Sequence, residues 1–83
     1  MKVIVLFFGA TADSVGEREV VVSLDENTNA ENALEKIFAE FPNLEKNHNK
    51  TSLHFSVNQE YASGNEIIND GDELAVFTAV SGG

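Results

Sequence analysis

Hydrophobic and polar positions alternate in some stretches of this chain and recur at helical spacing in another. Residues 2 to 8 are apolar on both sides of an extended segment, with Val3, Val5 and Phe7 on one face and Ile4, Leu6 and Phe8 on the other. Gly9 closes that run, and the small and polar residues from Ala10 to Gly16 predict a turn. Glu19 to Leu24 is β-branched and alternating, which predicts a second strand at a sheet edge or in a hairpin with the first. Thr28-Asn29-Ala30-Glu31 has the form of a capping box, and Ala30, Ala33, Leu34, Ile37, Phe38 and Phe41 follow on one helical face until Pro42 stops it. Asn43 to Ser52 is polar and predicts a surface loop. Leu53 to Asn58 alternates again, Asn69-Asp70-Gly71-Asp72 predicts a turn, and Leu74 to Thr78 predicts a last strand that is apolar on both faces.

Strands, one main helix and more strands predict an α+β domain with a mixed sheet curled around that helix. One helix covers one sheet face. Because the first and last strands are apolar on both faces, the other face is expected to meet a partner protein.

Composition narrows the function. A chain of 83 residues forms one domain, expected here over residues 1–83, and buries too little surface to build a deep catalytic pocket of its own. It has no cysteine, so disulfides and thiolate chemistry are absent and any sulfur chemistry must be borrowed. The apolar start is too short to span a membrane, so a cytoplasmic protein is expected. A net charge of −9 with five Lys and Arg residues disfavours nucleic acid as a partner, and no membrane partner is expected. It also implies that the residues gripping any phosphorylated substrate belong to a basic partner. His48 and His54 lack ligand spacing, Asp70 and Asp72 read as a turn, and no metal site or bound cofactor is expected.

The candidate chemistry lies at the end of the chain. The last strand runs into Ala79-Val80-Ser81-Gly82-Gly83, an extended tail. A terminal glycine pair arises by chance in about one chain in two hundred at ordinary glycine usage. Without Cβ atoms such a tail can thread a narrow channel and bring its carboxylate close to another protein's backbone. A carboxylate is a poor electrophile, so Gly83 would first need activation, which adenylation supplies, before a sulfur nucleophile could convert it to a thiocarboxylate.

Leu6-Phe7-Phe8, Val57-Asn58-Gln59, Asp70-Gly71-Asp72-Glu73 and Val80-Ser81-Gly82-Gly83, in this order over nearly the whole chain, resemble the small, sulfur carrier subunit of molybdopterin synthase. The resemblance implies a ubiquitin-like β-grasp fold and adenylation of Gly83 by an ATP-dependent activating enzyme. A sulfur-donating protein would then load the tail, and the thiocarboxylate would give its sulfur to cyclic pyranopterin monophosphate in the large subunit, during molybdenum cofactor biosynthesis. It further implies a heterotetramer in which the small chain has no activity alone and serves as the sulfur-donor subunit of a sulfurtransferase. Phe8, Tyr61 and Phe77 would be apolar docking contacts, with Val80 and Ser81 in the tail that partners bind. The sulfur carrier of thiamine thiazole synthesis shares the Asp-Gly-Asp turn and Gly-Gly end. A carrier for cysteine synthesis or tRNA thiolation, a modifier joined to lysine, and a plain interaction domain are further alternatives.

Overall fold

The computed structural model describes residues 1–78. In chain order the elements are β1 (Lys2–Phe7), α1 (Ala10–Val15), β2 (Glu19–Ser23), α2 (Ala30–Glu40) and α3 (Asn43–Asn47). A 3₁₀ turn (Lys50–Ser52), β3 (Leu53–Val57), β4 (Glu60–Tyr61) and β5 (Glu73–Thr78) follow. The sheet order is β2-β1-β5-β3-β4, with β1 and β5 parallel and every other neighbouring pair antiparallel. The expected mixed sheet is thus present, and β2 is both the hairpin partner of β1 and an edge strand.

Alternation puts Val3, Val5 and Phe7 of β1, Val22 of β2 and Leu74 and Val76 of β5 on the inner face, all buried. Against them α2 lays Ala30, Ala33, Ile37 and Phe38, and Phe41 just beyond the helix meets Phe7 edge to face at 5.5 Å. Each large apolar side chain buried this way stabilises the fold by about 1.5–3 kcal/mol.

Three expectations are corrected. The segment from Ala10 is a short helix, α1, rather than a simple turn, and Asn43 opens a second short helix whose Leu44 is fully buried. Both fall below the length at which apolar periodicity shows, and α3 buries only the side chain of Leu44. The cap of α2 is Asn29, whose Oδ1 accepts from the Asn32 amide at 2.8 Å, whereas the Thr28 hydroxyl donates back to the Asp25 carbonyl.

The remaining amides at the start of α2 are satisfied from a distant segment. Ala30 donates to the Glu66 carbonyl and Glu31 to that of Gly64, at 2.8 and 3.0 Å, while Ala33 bonds the Asn29 carbonyl. The loop that supplies those carbonyls is held by its own carboxylate. Glu66 accepts from the Ser63 amide, the Ser63 hydroxyl and the Gly64 amide, and backbone donation, first from Ser63, lowers its pKa from 4.5 to about 2. A carboxyl depressed by folding stabilises fully above its unfolded value and loses that contribution as pH falls through its folded one. Glu66→Gln is therefore expected to lower the thermal midpoint modestly at neutral pH, solvent screening the exposed group. The gap to wild type should close between about pH 4.5 and 2. A gap that persisted in acid would show that charge is not what holds the loop.

The β3–β4 hairpin turns on Asn58 and Gln59, both at positive φ, as a two-residue connection matched to strand twist requires. The Asn58 amide also ties this hairpin to the last turn: its Oδ1 accepts from the Glu73 amide and its Nδ2 donates to Asp72. Asp72 accepts in addition from the Asn69 amide, and Asp70 from that of Lys2. Gly71, at φ 85°, makes the turn possible while its N–H reaches the Lys2 carbonyl.

Candidate functional site

The strand pairings fix which side chains share the outer face, because residues paired across a ladder point the same way. Phe8 follows the last β1–β5 pair and falls beside Phe77, which is opposite His54 on β3. In the next row Glu19, Leu6, Ala75, Ser56 and Tyr61 lie in register across all five strands. Beyond them Val21, Ile4 and Glu73 form a third row. The result is an apolar field on the side of the sheet away from α2, bounded by Glu19 and Glu73.

Its most aromatic end adjoins the end of β5. His54 stacks on Phe77 with centroids 5.7 Å apart and an interplanar angle of 26°. Tyr61 meets Phe77 at 5.8 Å and presents to His54 edge-on at 5.8 Å. Phe8 and Tyr61 are 52% and 74% exposed, too open to count as core, while Phe77 is half-buried. Phe8, Gly9, Ala10, Phe77 and Thr78 line an open groove of about 430 Å³.

Beside the groove, one buried hydroxyl joins the two strands that carry it. The β1–β5 ladder ends at Phe7 and Val76, and there Thr11, fully buried, bridges the two strands. Its Oγ1 accepts from the Phe8 amide at 3.0 Å and donates to the Val76 carbonyl at 2.8 Å. Gly9 makes this possible: at φ 53°, ψ −116° it occupies a turn conformation that a side chain resists, and it folds Thr11 back under Phe8. Thr11→Val keeps the shape but strands the Phe8 amide and the Val76 carbonyl. It is expected to cost about 1–3 kcal/mol of unfolding free energy in a denaturant titration; a neutral substitution would rule out the bridge as a determinant of stability.

Phe8, Tyr61 and Phe77, predicted as docking contacts, are thus brought to one end of one face. Val80, Ser81, Gly82 and Gly83 lie outside the described residues; they follow Thr78, which stands on the groove wall. Thr11 and His54 were not predicted for this site. Alternation along Leu53–Val57 places His54 outward, so its position could have been inferred from the sequence, whereas the Thr11 bridge depends on contacts 65 residues apart. The other histidine is a strut. His48 Nε2 lies 2.8 Å from Ser14 Oγ, a contact that ties the end of α3 to α1.

The arrangement therefore offers adhesion at one end of an apolar face, next to the strand from which the glycine tail continues. Among the described residues, no helix is long and apolar enough to cross a membrane.

The chain matches the ThiS family over residues 5–83. It is 34% identical over 85 residues, covering all of both chains, to the molybdopterin synthase sulfur carrier subunit of Chlamydomonas reinhardtii. Among solved structures it superposes on SAMP1 from Haloferax volcanii with a TM-score of 0.87 and 29% identity, again over all of both chains. A chain in the complex of subunits 1 and 2 of molybdopterin-converting factor from Helicobacter pylori has the same fold, with a TM-score of 0.70, 23% identity and full coverage of both. The sheet order and these likenesses establish the ubiquitin-like β-grasp architecture. The chain belongs to the ThiS family and stands with the molybdopterin synthase sulfur carrier subunits.

Proposed function

We propose that this chain is the sulfur carrier subunit of molybdopterin synthase and acts through its C-terminal Gly83. The observation that carries the reading is spatial: Phe8, Phe77 and Tyr61 gather into an apolar patch at the end of β5, from which the sequence runs into Gly82-Gly83. Its kinship with a curated subunit of that name over the full length of both chains supports it.

In this mechanism an activating enzyme docks on the aromatic end, and the Gly83 carboxylate attacks the α-phosphate of ATP. Pyrophosphate leaves and an acyl adenylate forms. A persulfide on a donor protein then displaces AMP to give an acyl disulfide, and a thiol of the donor attacks its donor-side sulfur, so that the S–S bond breaks, a protein disulfide forms and Gly83 leaves as a thiocarboxylate. The loaded chain next docks on the large synthase subunit, and its tail carries the sulfur to cyclic pyranopterin monophosphate. The large subunit is named by analogy with the complex of subunits 1 and 2 from Helicobacter pylori. With a net charge of −9, this chain suits a basic partner, which would also hold the substrate phosphate. The chemistry belongs to the cytoplasm, with ATP consumed by the activating enzyme and no cofactor resident on this chain.

The test is a reconstitution with ATP, activating enzyme, sulfur donor, large subunit and cyclic pyranopterin monophosphate. Formation of the dithiolene product, dependent on this chain, is expected. Loading of the tail without product would reassign the acceptor, and a lysine-linked conjugate would reassign the chain to the protein modifiers.

A further inference from the structure

The aromatic end of the outer face contains one imidazole, that of His54. His54 is half-buried between Phe77 and Tyr61, and none of the hydrogen bonds among the described residues engages its ring nitrogens. In the free chain, water can solvate the open side of the ring in either protonation state. A partner that covers this face removes that water, and burying a charge without a counter-charge costs far more than burying a neutral ring. A basic partner, which the acidity of this chain favours, would also repel an imidazolium directly.

We propose that the partner closes on the neutral form of His54, so that this side chain makes docking pH-sensitive and serves as a specificity determinant of the interface. The inference rests on the outer face being the docking surface. On the face of the imidazole, Tyr61 comes from β4, Phe77 from β5 with Glu73 further along that strand, and Ser56 from β3, while Glu60 of β4 pairs with Val57 and belongs to the other face. Glu19 of β2 and Lys2 of β1 lie further across the sheet.

The sign follows from linkage. If the complex takes only the neutral ring, affinity is full at the alkaline end of the histidine range and falls as protonation must be reversed before docking. The experiment measures the Kd of the full chain for the large subunit of the same organism's synthase, at about pH 7.5 and about pH 5.5. Wild type is expected to weaken by about tenfold across that interval, while His54→Leu and His54→Gln change less than about twofold. These variants keep every other titratable group, so they isolate the imidazole.

An equal weakening in both variants, a wild-type affinity that does not change, or tighter binding in acid would each overturn the proposal. Tighter binding would mean that the partner meets the imidazolium with a carboxylate. Absence of wild-type binding at either pH would instead remove the docking reading on which the proposal stands.

Discussion

Removing Gly83 is expected to reduce sulfur transfer by at least about a hundredfold while leaving the thermal unfolding midpoint almost unchanged. The first half follows from reach: one residue spans about 3.3–3.6 Å of extended chain, and misplacing a reacting group by about 1 Å can cost about a hundredfold in rate. The shortened chain still ends in a glycine carboxylate, so the loss would come from position rather than from chemical identity. The second half follows from where the stability resides. The buried core described here draws on residues from Val3 to Val76, and the ladders close by Thr78. Calorimetry beside single-turnover transfer separates the two effects. A deletion variant that unfolded, or one that transferred sulfur at the wild-type rate, would contradict the division of labour between fold and tail.

Phe77→Asp is expected to weaken binding to the large subunit by at least about thirtyfold, the range of a central interface anchor. Phe77 sits where the aromatic contacts converge, stacked on His54, tilted against Tyr61 and lining the groove with Phe8. The substitution removes that surface and places a carboxylate where the partner would have to desolvate it. Some stability should also be lost, because each aromatic pair contributes about 0.5–1.5 kcal/mol beyond its buried area. Titration calorimetry on protein shown by circular dichroism to be folded gives the measurement. Unchanged affinity in a folded variant would mean that partners use another face.

Much of the scaffold could be read because its periodicities are long and clean. Leu53, Phe55 and Val57 alternate inward as expected, and the apolar stripe of α2 ends at Phe41 before Pro42. The short helices α1 and α3 could not, since a turn and a half of helix leaves no periodic signature and Leu44 looks isolated in a polar stretch. Two stretches that carried the family resemblance turn out to brace the fold. Asn58 and Asp72 hydrogen-bond to each other, so Val57-Asn58-Gln59 and Asp70-Gly71-Asp72-Glu73 are two halves of one junction between the β3–β4 hairpin and the turn before β5. Of the candidate site, the pairing of Phe8 with Phe77 was legible through the family resemblance, and the strand register sets the two side by side on the outer face. The partnership of His54 with Tyr61 was not, because β4 is only two residues long and its pairing is decided by the Asn58-Gln59 turn.

The central claim is that Gly83 carries sulfur, and intact mass spectrometry of the chain isolated with its native sulfur-loading machinery tests it most directly. A fraction of molecules heavier by the replacement of one oxygen with one sulfur, the difference mapping to Gly83 and vanishing when ATP is withheld, is the predicted result. An unmodified carboxylate, under conditions that load a known carrier in parallel, would contradict the account.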